Sequence, residues 1–216
     1  MYVPSVDRPL SGAEWRAFVA AQGFGHLIAG GVDREVPVVT PTQFVMDGDE
    51  VLAHVAAANP ILAALAERPR ALLSVAGDWA FIPSSWKAIR EEDPERGIPT
   101  TYYAAVQLSG PVEVASEPDA IAAVLRRQLA ALQPDVAVAD PEEAHPKKLQ
   151  AIRAITIRVE HVESKFKYGG NVDEEHRRAI VDRLAERSAP GDAAALEHAI
   201  QRVSSVTDLG SAFRRP

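Results

Sequence analysis

The feature that most constrains the fold is a succession of short extended segments joined mainly by hairpin turns. Extended segments are predicted at residues 26–29, 36–45, 51–55, 70–76, 78–82, 104–114 and 154–162. Gly30-Gly31 and Asp47-Gly48-Asp49 supply turn residues between the first three segments. Strands and helices do not alternate regularly. The pattern predicts a mainly β protein with some α-helix, a closed or split antiparallel barrel with peripheral helices.

Capping signals place the helices around this barrel. Ser11-Gly12-Ala13-Glu14 is a capping box that predicts the first helix. Asn59 followed by Pro60 predicts a helix start with an N-cap and a proline in the first turn. Further helices are predicted at residues 116–133, from 173 onward, and near 193–203. We therefore expect a barrel over residues 1–170, a helical appendage over 171–203 and a flexible tail over 204–216.

Composition narrows the classes of function. The 216-residue chain has no cysteine, which excludes disulfides, thiolate metal sites and a cysteine nucleophile. Its formal net charge of −7 argues against direct DNA binding. The six histidines are scattered, so no metal site is predicted from local spacing. Without a signal peptide or a bilayer-length apolar run, the protein is expected to be cytoplasmic, with no membrane association.

Hydroxyl and aromatic residues cluster on both sides of a charged loop. Ser84-Ser85-Trp86 precede this loop and Thr100-Thr101-Tyr102-Tyr103 follow it. Hydroxyls can hydrogen-bond a phosphate and aromatic rings can stack on a flat ligand, which are the requirements of a flavin. The alternative is that Ser and Thr form turns while Trp and Tyr cover the core.

Five motifs in order resemble the PaiB-like FMN-binding negative transcriptional regulators. The chain opens with Met1-Tyr2-Val3-Pro4, as that family does. The remaining four motifs are Ala53-His54-Val55-Ala56-Ala57-Ala58-Asn59-Pro60, Phe81-Ile82-Pro83-Ser84-Ser85-Trp86, Ile98-Pro99-Thr100-Thr101-Tyr102-Tyr103-Ala104-Ala105-Val106, and Lys165-Phe166-Lys167-Tyr168-Gly169-Gly170-Asn171. The resemblance covers roughly residues 1–187. It implies a split β-barrel related to pyridoxamine-phosphate oxidases and flavin reductases, a homodimer, and FMN bound at the subunit interface.

The resemblance and the hydroxyl-aromatic clusters together nominate nine cofactor contacts. They are His54, Asn59, Ser84, Ser85, Trp86, Thr100, Tyr103, Lys165 and Asn171. Asn59 has the alternative role of a helix cap, and interface packing accounts equally well for Trp86 and Tyr103. The alternative for Lys165 is an ordinary exposed lysine. No catalytic residue and no metal ligand are predicted.

Departures from the family motifs keep other functions open. Ala57 stands where the family has an arginine, which removes a partner for a phosphate. Pro41 and Gln43 replace the family's histidine and proline, and Thr101 and Tyr102 replace its tryptophan and asparagine. The first hypothesis is an FMN-binding protein with a regulatory role. The alternatives are a flavin-dependent oxidoreductase, and a split barrel that has lost FMN and serves as an interaction or other-ligand module.

Overall fold

The computed structural model describes the backbone of residues 1–212 and the side chains of residues 1–202. Seven strands occur in this part of the chain: β1 (Phe24–Ala29), β2 (Val38–Asp47), β3 (Glu50–Ala56), β4 (Arg70–Ile82), β5 (Thr100–Ala115), β6 (Ile152–Arg158) and β7 (His161–Lys167). The helices are α1 (Gly12–Gln22), α2 (Ile61–Glu67), α3 (Pro118–Leu132), α4 (Pro141–Ala144), α5 (Pro146–Leu149), α6 (Glu174–Arg187) and α7 (Asp192–Ala212). Short 3-10 turns occupy Ser5–Asp7, Ser84–Lys87 and Pro94–Arg96.

The strands form one sheet in the order β4-β1-β2-β3-β6-β5-β7, and an additional pairing of β4 with β5 closes it into a ring. The pairs β1–β2, β1–β4, β2–β3, β3–β6 and β5–β6 are all antiparallel. A tight turn at Gly48 joins β2 to β3, as predicted, whereas a longer loop of residues 30–37 joins β1 to β2. The mainly β, antiparallel barrel class predicted from the sequence is therefore confirmed.

Two strand predictions differ from the structure. Residues 70–76 and 78–82 form the single strand β4, because Gly77 continues the extended backbone instead of ending it. The predicted strand at 154–162 is divided into β6 and β7. The division occurs where Val159 donates to the Asp49 carbonyl oxygen at 2.9 Å and Glu160 to that of Ser109 at 2.9 Å.

The helix starts follow the capping signals. The Glu14 amide donates to Ser11 Oγ at 3.3 Å, and the Leu10 amide donates to Glu14 Oε2 at 2.5 Å. In α2, the Ile61 amide donates to Asn59 Oδ1 at 3.0 Å, so Asn59 caps this helix as its alternative role predicts. The predicted helices at 116–133 and from 173 correspond to α3 and α6.

The chain divides into two compact units that do not follow chain order. One comprises residues 16–75 and 106–163, and the other comprises residues 1–15, 76–105 and 164–216. The predicted boundaries at 170 and 203 stay predictions. The predicted tail over 204–216 overlaps the end of α7, and its residues 213–216 lie outside the described residues.

In the unit of residues 16–75 and 106–163, α3 packs its apolar side on the sheet. Leu52 and Ala154 from β3 and β6 pack with Ile121, Ala122 and Val124 of α3, all of them buried. Complete burial of a side chain of this size contributes about 1.5–3 kcal/mol. The amphipathic α3 is therefore held by the hydrophobic core beneath it.

In the other unit, aromatic side chains form the core. The rings of Tyr102 and Tyr168 meet edge to face at 5.8 Å, and Tyr168 stacks on the His198 ring at 4.8 Å. Arg202 donates to Glu14 Oε1 at 3.0 Å, which ties α7 to the capping box of α1. Among the described residues, no helix combines the length and the apolar character needed to cross a membrane.

Candidate functional site

The turn that follows β4 carries three of the predicted contacts, Ser84, Ser85 and Trp86. Pro83 ends the strand and leads into the 3-10 turn Ser84–Lys87. Arg183 of α6 donates to the Ser85 carbonyl oxygen at 2.8 Å. The Ser85 side chain is exposed, whereas Ser84 and Trp86 are half-buried. The turn is thus held through its backbone, which leaves the Ser85 hydroxyl at the surface.

One face of the Trp86 ring is already occupied. The Arg187 guanidinium carbon lies 4.4 Å from the ring centroid. Arg187 is itself fixed by two hydrogen bonds to the Asp192 carboxylate, at 2.8 and 2.5 Å, and by one to the Phe81 carbonyl oxygen at 2.9 Å. Cation–π contact of this kind contributes about 0.5–1 kcal/mol at partly exposed sites. Only the opposite face of Trp86 remains for stacking on a ligand.

Lys165 links β7 to the amino-terminal segment. Its ammonium donates to the Tyr2 carbonyl oxygen at 3.3 Å and lies 3.6 Å from the Asp7 carboxylate. The same nitrogen is 5.9 Å from the ring centroids of both Tyr2 and Tyr103. Lys165 is therefore a partnered, largely covered residue and not the ordinary exposed lysine of the alternative interpretation. Tyr103 is brought together with it, as the two were predicted to share a site.

A small pocket brings Thr100 and Asn171 together. Its volume is about 230 Å³. The lining residues are Lys87, Ile98, Pro99, Thr100, Tyr102, Lys167, Gly169, Asn171 and Val172. Thr100 begins β5 and Asn171 follows β7, so the pocket joins two predicted contacts that are distant in the chain. The other seven predicted contacts do not line it.

Tyr102 is the most unusual residue of this pocket. The residue is 1% exposed, and its buried hydroxyl has no hydrogen-bond partner among the described residues. A buried hydroxyl without a partner costs about 1–3 kcal/mol. Burial raises the pKa of Tyr102 to about 12, against an opposing influence from the charge of Arg177. The phenol therefore stays protonated at neutral pH, and no described residue accepts its hydroxyl hydrogen.

Gly169 allows the close approach of the Tyr102 hydroxyl. Gly169 has a φ of +75°, and a Cβ added there would lie 2.3 Å from Tyr102 Oη. A side chain at this position would meet both backbone strain and a steric clash. Glycine is thus required here by the backbone and by the tyrosine together.

Arg177 fixes the backbone of the pocket wall. Its guanidinium donates to the carbonyl oxygens of Gly169 at 3.2 Å, Val172 at 2.6 Å and Arg202 at 2.9 Å. Arg177 is 5% exposed, and the charge of this buried side chain is distributed over three backbone acceptors. Gly169 and Val172 both line the pocket, so Arg177 holds the segment after β7 in position through hydrogen bonds to its backbone.

The two pocket lysines and Tyr102 were not predicted as contacts. Lys87 ends the turn after β4 and Lys167 ends β7, and both are half-buried. Burial, with the neighbouring charge of Lys167, lowers the pKa of Lys87. The alternation of Lys165 and Lys167 about buried Phe166 is typical of a strand, but no extended segment is predicted at these residues. Tyr102 belongs to the second hydroxyl-aromatic cluster and is also a departure from the family motif, and it is not among the nine predicted contacts.

His54 and Asn59 belong to the other compact unit. His54 Nδ1 and Gln128 Oε1 are 2.9 Å apart, and Gln128 Nε2 donates to the Leu52 carbonyl oxygen at 3.1 Å. Asn59 Oδ1 accepts from Thr40 Oγ1 at 3.1 Å in addition to capping α2. Both side chains therefore have local structural partners within their own unit.

A second polar cluster surrounds His176. Its two ring nitrogens lie 2.8 Å from Glu92 and 2.7 Å from Asp173. The hydrogen bond with Glu92, followed by the one with Asp173, raises the pKa of His176. Among the described residues, no group of three His, Cys, Asp or Glu side chains is placed to hold a metal ion.

Comparisons with solved structures identify the fold. The flavocytochrome Anf3 from Azotobacter vinelandii superposes with a TM-score of 0.58 and 22% identity, covering 79% of this chain and 74% of that chain. The FAD and heme binding protein from Mycobacterium smegmatis has a TM-score of 0.58 and 21% identity, with coverages of 79% and 78%. A conserved hypothetical protein from Mycobacterium tuberculosis has a TM-score of 0.54 and 15% identity, with coverages of 77% and 90%. At this identity the likenesses show the fold, and they confirm the predicted split barrel.

The family is shown by sequence. No curated protein matches the chain. Residues 1–161 match the model of the family described as "Putative FMN-binding domain". This match includes the strands β1 to β6 and the turn after β4. Because it covers most of the chain, the protein belongs to this FMN-binding-domain family.

Proposed function

We propose that the protein binds FMN and acts as a flavin-dependent regulatory protein of the PaiB-like type. The observation that carries this proposal is the match of residues 1–161 to an FMN-binding domain family. The flavocytochrome and the FAD and heme binding protein that share the fold support it, since their names describe flavoproteins. Bound FMN would supply a redox-active ring; the chain's own residues would bind it, orient it and limit its contact with water.

The polar groups at the pocket fit one end of such a ligand. The Thr100 hydroxyl, the Asn171 amide and the Tyr102 hydroxyl are hydrogen-bond donors, and no carboxylate lines the pocket. This donor set suits the oxygen-rich end of FMN. The remaining predicted contacts, His54, Asn59, Ser84, Ser85, Trp86, Tyr103 and Lys165, stay predictions.

A homodimer is part of this proposal. Trp79 and Phe81 are 63% and 48% exposed, and they project from the same face of β4. Exposed aromatic residues on a strand favour a protein interface. We expect a dimer by light scattering, and a monomer when Trp79 is replaced by lysine. A native protein that is monomeric at micromolar concentration contradicts this part.

The proposed regulatory role does not involve direct contact with DNA. The formal net charge of −7 opposes a broad phosphate-binding surface. We expect the role to depend on a partner protein or on the flavin itself, in the cytoplasm. A mobility shift at low salt that weakens steeply with added salt would contradict this indirect role.

The experiment that tests flavin binding is titration of the purified protein with FMN. The expected results are a change in the visible flavin spectrum and a higher melting temperature. At a free FMN concentration about 100 times Kd, binding adds about 2.7 kcal/mol to the free energy of unfolding. Saturating FMN that changes neither the spectrum nor the melting temperature rejects the proposal.

A second candidate is a split barrel that has lost FMN and binds another ligand or a protein. The observation that favours it is Ala57, an uncharged residue at the position of the family's arginine, just before α2. Rejection of FMN in the titration supports this candidate. If FMN is bound, oxidation of NAD(P)H by the loaded protein distinguishes an oxidoreductase from a regulator.

A further inference from the structure

Two lysines face the same small pocket without an acidic partner. Lys87 and Lys167 both line it, and no carboxylate belongs to its wall. Neither lysine forms an ion pair or a hydrogen bond with the residues whose side chains the structure describes. Two other basic residues discussed above do have acidic partners, Lys165 with Asp7 and Arg187 with Asp192. The pocket therefore concentrates positive charge that the described residues leave uncompensated.

The electrostatics of the pair Lys87 and Lys167 favour binding of an anion. Burial and the charge of Lys167 disfavour the protonated form of Lys87, so its pKa is lowered. A bound anion would offset both effects, since it supplies the opposite charge at close range. The free protein thus carries an electrostatic cost at this position that a ligand can remove.

The unpartnered Tyr102 hydroxyl is an independent observation at the same place. It lies against Gly169, another residue of the pocket wall, and it is buried. Thr100 and Asn171 add a hydroxyl and an amide to the wall. Two ammonium groups with three neutral donors match a tetrahedral oxyanion, which has several acceptor oxygens to be satisfied.

The size of the pocket limits what can enter. Its volume of about 230 Å³ is below the range of roughly 300–1,000 Å³ that is typical for complete drug-sized ligands. A phosphate group with part of its attached chain fits this volume, whereas a three-ring flavin system requires more space. The ring of any flavin would have to lie outside this pocket.

We propose that Lys87, Lys167 and the Tyr102 hydroxyl form a binding pocket for a phosphate monoester or inorganic phosphate. The phosphate can come from two sources, the 5′-phosphate of FMN or a separate small phosphorylated ligand. The first source rests on the proposed function, and the second does not. In either case the pocket recognises the charge and the oxygens of the phosphate, not the remainder of the ligand.

The test uses the full chain and four variants. Lys87→Met and Lys167→Met remove one charge each, and Tyr102→Phe removes the hydroxyl. Lys148→Met is the matched control, because Lys148 is exposed and does not line the pocket. Binding of inorganic phosphate is followed by calorimetry and by melting temperature at constant ionic strength, with chloride as the reference anion. FMN and riboflavin are compared by quenching of their fluorescence.

The expected result is phosphate binding by the native protein and the Lys148→Met control. Each pocket variant should weaken phosphate binding about tenfold or more, the effect expected from losing a hydrogen bond to a charged group. If FMN supplies the phosphate, the native protein should prefer FMN over riboflavin, phosphate should compete with FMN, and the lysine variants should reduce the preference. If FMN and inorganic phosphate both bind but do not compete, the pocket takes the phosphate of a separate ligand and not that of FMN.

The outcomes separate this inference from the proposed function. Failure of both flavins to bind, with phosphate binding retained and lost in the lysine variants, rejects flavin binding and supports the pocket. Flavin binding together with no phosphate binding, and equal affinities for FMN and riboflavin, overturns the pocket. Equal phosphate affinities of Lys87→Met, Lys167→Met and the native protein also overturn it. Unchanged or higher melting temperatures of the ligand-free lysine variants show that any loss is not caused by misfolding.

Discussion

Arg177 and the pair Lys87 and Lys167 all lie next to the segment that follows β7 and differ in how their charges are satisfied. Arg177 is 5% exposed and donates to three carbonyl oxygens. The two lysines are half-buried and have no acceptor among the described side chains. A buried cation whose hydrogen bonds are all satisfied stabilises the fold. A pair of cations without acceptors can instead bind an anionic ligand. Partners, and not burial alone, therefore separate a structural charge from a binding charge.

The largest effect is expected from replacing Arg177, the cation whose hydrogen bonds are satisfied. Arg177→Met removes three charge-assisted hydrogen bonds and leaves buried carbonyl oxygens without their donor. We expect the free energy of unfolding to fall by about 3–5 kcal/mol. The measurement is urea denaturation followed by circular dichroism. Arg178→Met is the control, since Arg178 is exposed and pairs with Glu174 on the surface of α6. It should change stability by less than about 1 kcal/mol, and similar losses in both variants would contradict the assignment.

The next effect concerns Gly169, which lines the pocket and whose carbonyl oxygen accepts a hydrogen bond from Arg177. Gly169→Ala places a methyl group within 2.3 Å of Tyr102 Oη at a φ of +75°. The backbone conformation alone costs about 1–2 kcal/mol, and the clash adds to this. We expect lower stability in urea and loss of the phosphate-induced rise in melting temperature. Gly30→Ala, where a methyl group meets nothing within 4 Å, is the control. A Gly169→Ala protein as stable as this control would show that the wall is not rigid.

Tyr102→Phe should change the free energy of unfolding in the opposite direction from Arg177→Met. Because the hydroxyl is buried and has no described partner, its removal should not destabilise the ligand-free protein and should stabilise it by up to about 1 kcal/mol. The same change should weaken phosphate binding. The measurement pairs urea denaturation without ligand with calorimetric titration of phosphate. Loss of stability in the ligand-free variant would mean that the Tyr102 hydroxyl already has a hydrogen-bond partner. That result would contradict its role as a donor to phosphate.

The smallest effect concerns His176, which joins the loop before β5 to the start of α6. Glu92 and then Asp173 raise its pKa above the ordinary value of 6.5, while Arg90 in the same cluster is paired with Glu175. A histidine whose folded pKa is raised stabilises the fold fully below its unfolded pKa. The contribution is lost as the pH rises through the folded pKa.

The measurement for His176 is the stability difference between native protein and His176→Gln as a function of pH. We expect the native protein to have an advantage at pH values below about 6.5 that declines above neutrality. His145→Gln is the control, because His145 is exposed on the loop between α4 and α5. A stability advantage of the native protein over His176→Gln that grows with increasing pH would contradict a raised pKa of His176.

Local rules predicted much of the fold. The capping box at Ser11 and Glu14, the Asn59 cap and the turn at Gly48 all act within a few residues, and each is present in the structure. The division of 154–162 into two strands was not predictable in this way. It depends on Asp49 and Ser109, whose carbonyl oxygens accept from residues 159 and 160 and lie far away in the chain.

The candidate site was only partly predictable. Thr100 and Asn171 were nominated from motifs, and both line the pocket. Trp86 was nominated for stacking, but one of its faces is covered by Arg187. Lys87, Lys167 and Tyr102 were missed as contacts, because a lysine or tyrosine in a sequence carries no sign of which partners surround it.

The barrel class and the helix starts follow from the amino-acid sequence alone. These features depend on turn residues, caps and side-chain periodicity, which act over short distances. Which charges are satisfied depends on contacts that form only when the chain folds. It brings Lys87 beside Lys167 and leaves the Tyr102 hydroxyl buried beside Gly169. Desolvation and charge pairing depend on neighbours from distant parts of the chain, so the electrostatic character of the pocket appears only when the chain has folded.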